Sequence, residues 1–474
     1  MGSPQTPAGP TAVQSAARLD RLPLTRWHWT MTLIVGIGSF FDLYEVFLGG
    51  VLGPVLAKEW GLGATGKSLV ISAGFIGMFF GAIFLGVAAD RFGRRRMFLF
   101  NLAAYSLLSL ATAAAPNALV FVVLRICAGF MIGAELTLVD TYLSEFLPAR
   151  VRGRFVAWAY TFGFLGVPLA ALLGGRFVAH HHLLISGWRW LPIIGGVGAL
   201  AAWLLRTHLP ESPRWLSVNG RPAEAEQVVS SIEETVQRQS GGELPPVQPA
   251  PEEPAGRLPL SHVFAGEYRR RTVMLWIFQL LQTVGYYGFG TLAPVVLVAK
   301  GFPIVTSLGF AALSFIGYPI GSALSIPLVE RFERKFLIIG AALVMAVLGV
   351  VFGAARQPWL IVTAGFLLTC ASNVFSNGFH IYEAEIFPTR LRSSAIGFTY
   401  SLSRAVSAAL PFVAIPVLDS LGATAVFVGS AVLMVVLCAD VALLGPRSTG
   451  RSLEKVAVVD AEAAAVTPRS APAS

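Results

Sequence analysis

Twelve apolar runs divide the chain, at roughly 29–57, 68–89, 97–115, 118–142, 154–178 and 188–206 and, after a polar interval, at 272–299, 304–329, 335–355, 359–383, 394–417 and 421–444. Each is about 18–28 residues long, the length a helix needs to cross a hydrocarbon core roughly 30 Å thick. Pro116-Asn117 and Gln357-Pro358 mark hairpin turns after the third and ninth runs. In lipid a backbone must pair its own N–H and C=O groups, so the pattern predicts an all-α polytopic membrane protein with twelve transmembrane helices, six plus six.

The two sixes repeat one another. Between the second and third runs the chain reads G-V-A-A-D-R-F-G-R-R-R from Gly86 to Arg96, a burst of charge that must be a tight turn at a membrane surface. Glu330-Arg331-Phe332 and Arg334-Lys335 stand 240 residues after Asp90-Arg91-Phe92 and Arg94-Arg95. At the same offset, E-F-L-P-A-R-V-R from Glu145 to Arg152 returns as E-I-F-P-T-R-L-R from Glu385 to Arg392. Two matches in step with the apolar runs predict homologous halves forming two pseudo-symmetric six-helix bundles, an architecture of secondary transporters. The expected organisation is a disordered N-terminal tail (1–26), a first bundle (27–206), a linker (207–271), a second bundle (272–444) and a disordered C-terminal tail (445–474). The linker holds an amphipathic stretch from Arg221-Pro222 and a mobile Pro/Glu-rich middle near 240–257.

Composition agrees, with 55% apolar and 13% charged residues among 474, about half the charged share of soluble domains. A net charge of +9 raises the question of nucleic acid, but the arginines occupy short loops. Arg18, Arg21 and Arg26 and the clusters at 91–96, 150–154, 214–271, 331–335 and 390–392 fall on one side, leaving scattered charges such as Lys58, Lys67, Arg176, Arg189, Lys300 and Arg356 on the other. Positive loops mark the cytoplasmic face, so both termini are expected there and the partner is a lipid bilayer, not nucleic acid. Cys127, Cys370 and Cys438 lie inside runs at no metal spacing, and there is no Walker loop or nucleophile elbow. The expectation is a non-enzyme without metal or cofactor.

Gly86-x-x-x-Asp90-Arg91-x-Gly93-Arg94-Arg95 resembles the loop signature of the major facilitator superfamily. Arg125-x-x-x-Gly129-x-x-x-Gly133, Glu145-x-x-Pro148-x-x-x-Arg152-Gly153 and Pro210-Glu211-Ser212-Pro213-Arg214-Trp215-Leu216 resemble further motifs of its sugar-porter and organic-ion branches. Asp42-Leu43-Tyr44-Glu45 resembles the D-G-[FY]-D motif of aromatic-acid:proton symporters, with Leu43 for Gly and Glu45 for the second Asp. Gly285-Tyr286-Tyr287-Gly288 and Arg404 are similar to nicotinate and organic-ion transporters. The second-half loop departs from the signature at Ile326 and Glu333. The resemblance implies the major facilitator fold, alternating access, a proton as coupling ion, the plasma membrane as location and a monomer as sufficient unit.

Ionisable groups inside a span are costly and are functional candidates by default. Asp42 and Arg404 lie near mid-depth, with Glu45, Arg125, Glu135, Asp140, Glu383 and His380 completing the set. A carboxylate in a partly dry cavity can load and unload a proton, the role expected of Asp42 with Glu45; the alternative is that Asp42 and Arg404 neutralise each other or pair with other helices. Arg125 resembles the fourth-span arginine implicated in coupling, and about 15 Å of helix separates it from Glu135, so its partner is expected in another span. Arg404 offers a fork shaped for a substrate carboxylate.

Tyr44, Trp158, Gln279, Gln282, Tyr286, Tyr287, Asn377 and Tyr382, with Phe47, Tyr160 and Phe375, supply rings and amides on spans expected by resemblance to line the cavity. Gln279, Gln282 and Tyr286 share one helix face. Asp90, Arg91, Arg94, Glu145 and Arg152, with Glu330, Arg334, Glu385 and Arg392, are the expected gating latches. The function expected is proton-coupled uptake of a small organic acid, aromatic in the preferred reading; the alternatives are a proton-driven exporter of drugs or metabolites, a sugar or organic-cation transporter, and a non-transporting sensor.

Overall fold

Where the apolar runs are broken by Gly, Pro and charge, the helices end. A computed structural model describes residues 12–179, 185–247, 266–386 and 389–446. Ten spans follow in order, numbered here one to ten: Arg26–Glu59, Ala64–Gly86, Arg94–Ala113, Ala118–Phe146, Arg152–Val178, Gly187–Arg206, Tyr268–Ala299, Ile304–Arg331, Arg334–Ala354 and Pro358–Glu383. The last helix, Thr389–Leu444, has 56 residues, about twice what a bilayer requires. Gly422 breaks it with a φ of 83°. The two sides fold back on span seven, Leu410 against Gly288 and Met434 against Gly285, making spans eleven and twelve.

Within the first half, close packing follows from small residues. Gly129 and Gly133 of span four face Gly74, Gly77 and Gly81 of span two, and a Cβ at Gly129 would stand 2.1 Å from the Gly74 carbonyl oxygen. The Arg125-x-x-x-Gly-x-x-x-Gly stripe is therefore a helix-packing face as well as the carrier of an arginine. Span four then breaks between Ile132 and Glu135 into two helices.

The core shows how the halves meet. One large apolar cluster joins both halves on the face away from the linker, through residues such as Val51, Val70 and Leu191 with Leu292, Leu308 and Leu418. On the linker face the core divides into one cluster of first-half residues, including Met97, Phe146 and Phe155, and one of second-half residues, including Phe278, Phe375 and Leu437. The two bundles are fused on the far face and separate on the linker face.

The N-terminal segment corrects an expectation. Residues read as a disordered tail form a helix over Ala12–Asp20, because charge and apolar partners two hundred residues away order it. Leu19 and Leu22 are buried in the linker-face cluster beside Ile232 and Val236 of the linker helix Pro222–Ser240. Arg18 binds Glu226 at 2.7 Å and Glu233 at 2.6 Å, and Arg21 binds Glu233 at 2.6 Å. Asp20 accepts the Ala149 N–H at 2.7 Å, which ties the clasp to the loop after span four. The linker middle lies largely, and the C-terminal tail from 447 wholly, outside the described residues.

Burial alone would raise the Glu233 carboxyl, but the hydrogen bonds from Arg18 and Arg21 outweigh it and hold the group below its ordinary 4.5. The hydrogen bonds from Arg18 and Ser230 lower Glu226 likewise. A depressed carboxyl contributes its stabilisation fully above the ordinary value and loses it as the pH falls through the folded one. Glu233→Gln is expected to speed tryptic cleavage after Arg18 and Arg21 about fivefold at neutral pH, for a network worth about 1 kcal/mol. In the wild type the protection against an acid protease should fade below pH 4.5.

Candidate functional site

Two buried charge clusters occupy the first half. In one, Glu45 of span one meets Arg125 of span four at 2.5 Å, and the same guanidinium donates to the Glu45 carbonyl at 2.8 Å. Ser109 of span three donates to the Glu45 carboxylate at 3.0 Å. Arg125 thus finds its partner in another span. In the second cluster Arg206, which closes span six, forms an ion pair with Glu135 and stands 3.9 Å from Asp42, all three side chains being fully buried. Its guanidinium lies 4.2 Å from the Phe98 ring centroid.

Between the halves, Leu43, Tyr160 and Phe164 face Gln282, Tyr286, Tyr287, Asn377 and His380 around about 30 Å³ of free space. That is room for a water molecule or two and too small for an organic acid, so substrate entry requires the halves to part. Gln282 donates to Gln279 at 3.1 Å, and Gln279 to Glu383 at 3.4 Å. Tyr286 donates to Asn373 at 3.3 Å, and Asn377 to Ser325 at 2.7 Å. Arg404 is fully buried, with its guanidinium 4.8 Å from the Tyr287 ring centroid. Phe47 of the first half stacks on the same ring at 6.2 Å. Asp140 faces Tyr160 and, across the divide, His380 and Glu383; His380 and Glu383 are 3.1 Å apart.

The profile of the family described as "Sugar (and other) transporter" matches residues 43–459. The chain belongs to this family. Among its relatives, the niacin transporter NiaP of Acinetobacter baylyi is 30% identical over 93% of this chain and 99% of its own length. The 4-hydroxybenzoate transporter PcaK of Pseudomonas putida is 29% identical, covering 81% and 85%. In fold, the transporter superposes on the partially occluded inward-open form of the xylose transporter XylE from Escherichia coli with a TM-score of 0.72 at 20% identity, over 90% of this chain and all of that one. It is a multi-pass membrane transporter with the major facilitator fold, and not an enzyme.

Several residues of the transporter sit elsewhere than their span suggested. Tyr44 points out of the pocket into the bundle, donating to the Leu191 carbonyl at 2.9 Å. Trp158 stands on the periphery between Trp29 and Phe162. Tyr382 closes the linker end, donating to the Pro446 carbonyl at 2.8 Å. Each lies on a turn of its helix that faces a neighbouring helix or terminus rather than the other half. Asp42 and Arg404 do not neutralise each other; of the two arrangements in that alternative, Asp42 has the other, facing Arg206 and Glu135 on other helices of its own half.

The latches of the transporter lie within each half. Arg94 approaches Glu145 at 3.8 Å, and Arg334 approaches Glu385 at 3.4 Å. Arg152 approaches Asp20 of the N-terminal helix at 3.9 Å and donates to the Leu147 carbonyl at 3.4 Å, with no ion pair to Glu145. Arg91 and Glu330 are exposed, and the side chains of Asp90 and Arg392 lie outside the described residues. Gly93, with a φ of 105°, brings the turn so close that a Cβ would stand 2.6 Å from Glu211 Oε2. Glu211 accepts the Arg95 N–H at 2.9 Å, and Glu145 faces Ser212 and Arg214. Three sequence motifs thereby meet at one linker-face junction.

Arg206 escaped the sequence reading. It ends an apolar run just before a basic loop, where a flanking charge is ordinary. The one signal was arithmetic: the first half's apolar runs carry four carboxylates in Asp42, Glu45, Glu135 and Asp140, and Arg125 can neutralise only one.

Proposed function

We propose that the transporter takes up a small organic acid, aromatic by preference, together with protons, by rocking one bundle against the other. The observation that carries this is Arg404, wholly buried with its guanidinium over the ring of Tyr287, which itself lines the pocket between the halves. A guanidinium binds a carboxylate through two parallel hydrogen bonds, and burial strengthens the attraction. The Tyr286, Tyr287 and Phe164 rings supply flat apolar walls, and Gln282 and Asn377 offer polar groups for ring substituents. Relatives that carry niacin and 4-hydroxybenzoate support the same class of substrate. Buried carboxylates in the first half are the candidate proton carriers. The basic linker face supports placing both termini in the cytoplasm of a cell whose plasma membrane the chain spans, and one chain holding both halves can work as a monomer.

The test is uptake by proteoliposomes of labelled nicotinate, 4-hydroxybenzoate, a hexose and an organic cation, with and without an inward proton gradient. Accumulation of an acid only with the gradient is expected. Transport of the hexose or cation alone would overturn the acid reading, and accumulation under the opposite gradient would make the protein an exporter.

A further inference from the structure

The two first-half clusters are not equivalent. Glu45 and Arg125 form a one-to-one pair, with hydrogen bonds from Ser109 and to the Glu45 carbonyl. The second cluster sets two carboxylates, Asp42 and Glu135, against one guanidinium. All three are sealed from solvent, where an uncompensated negative charge is costly. Arg206 Nη1 is spent on Glu135, while Nη2 donates to the Val35 carbonyl at 3.3 Å and stands 3.9 Å from Asp42, beyond hydrogen-bond distance. Both Asp42 oxygens are buried and accept no hydrogen bond.

Nearby polar groups share this condition. The Tyr105 hydroxyl beside Asp42, and the Asn101 amide beside Glu135, adjoin the carboxylates without reaching hydrogen-bond geometry. Buried groups that miss their partners by a short way mark a network with a second arrangement. The cradle of the guanidinium depends on a glycine. Gly38, one turn before Asp42, has no side chain, and a Cβ there would lie 1.9 Å from Arg206 Nη2; Phe98 supports the opposite face.

We propose that Arg206 is the switching counter-ion of the proton site: it pairs with Glu135 while Asp42 holds a proton, and turns to Asp42 when that proton leaves. The inference rests on the proton-coupled reading above and assigns the proton to the second cluster, leaving Glu45–Arg125 as a one-to-one ion pair. The charged and titratable groups around Asp42 are Arg206, Glu135, Tyr105 and Glu45. Glu135 opens the second helix of span four, directly after the break that follows Ile132. Arg206 leads into Pro210, whose carbonyl accepts from Tyr142, and Glu211, which accepts from Arg95. Moving one guanidinium therefore loosens or tightens the linker-face end of span four and the junction below it.

The test compares proton-driven accumulation, substrate exchange and the pH profile of uptake. In Glu135→Gln, Arg206 has only Asp42 to serve. Accumulation should fall about tenfold or more, exchange far less, and the half-maximal pH should move down by about one unit. Arg206→Lys, which keeps the charge but loses the fork, should recover part of the accumulation that Arg206→Gln loses. Each variant is first checked for a monodisperse peak in detergent. Should Arg206→Gln not fold, Glu135→Gln and Arg206→Lys decide. An unshifted pH profile with full accumulation in Glu135→Gln overturns the shared counter-ion. Wild-type protein that accumulates no acid under any gradient sinks the symport reading instead, whatever the variants do.

Discussion

Arg404→Ala is expected to reduce acid uptake at low substrate concentration on the order of 100-fold or more, the scale of breaking a buried charge pair. The guanidinium is fully buried and lies against the Tyr287 ring. Its removal deletes the cation without supplying another donor for an incoming carboxylate. Arg404→Lys should fall between, because an ammonium keeps the charge but neither forks to two oxygens nor lies flat on a ring. Tyr287→Phe keeps the face that carries the cation and should remain close to wild type, whereas Tyr287→Leu should approach the Arg404→Ala defect. Counterflow of labelled acid in proteoliposomes measures all four. If Arg404→Ala transports acid normally, the carboxylate is held elsewhere and the arginine is a packing residue.

The part of this molecule legible in the sequence is the part that runs along one dimension. Span length and the 240-residue repeat need no knowledge of neighbours, and they lead to an all-helical fold of apolar spans. Gln279, Gln282 and Tyr286 could be grouped because helix geometry puts residues three and four apart on one face, and Gln282 and Tyr286 do share the pocket wall. What lay beyond the sequence was which face each span turns inward. Tyr44 follows Asp42 by two positions, so a helix directs it elsewhere, and it meets span six. Arg206 looked like a flank because nothing in its own run shows that Glu135 and Asp42 converge on it. The N-terminal helix was hidden by composition: the Pro-, Ala- and Ser-rich segment around it has no long apolar run, and its partners Glu226 and Glu233 lie two hundred residues on in the linker.

Gly50→Leu is expected to abolish net transport by preventing the far face from closing. Gly50 of span one sits against Thr291 of span seven in the other half, and an added Cβ would lie 2.5 Å from the Thr291 carbonyl oxygen and 2.8 Å from its Cα. These are backbone atoms within a helix, with no rotamer to change. The same seam holds Ser68 of span two donating to the Pro411 carbonyl at 3.1 Å and Leu308 of span eight packed on Gly174. One methyl group forced into such a contact costs about 1–3 kcal/mol, so Gly50→Ala should shift the balance of states and slow transport. Inverting a strongly biased two-state equilibrium takes about 5.5 kcal/mol, which the larger leucine side chain can supply. Leu292, buried in that seam, reports the change. As Leu292→Cys, in a background lacking Cys127, Cys370 and Cys438, it should react with an impermeant maleimide several-fold faster once Gly50 is leucine. Unchanged labelling together with wild-type uptake would mean that this contact is not the seal, and that the apolar core joining the halves closes the far face without it.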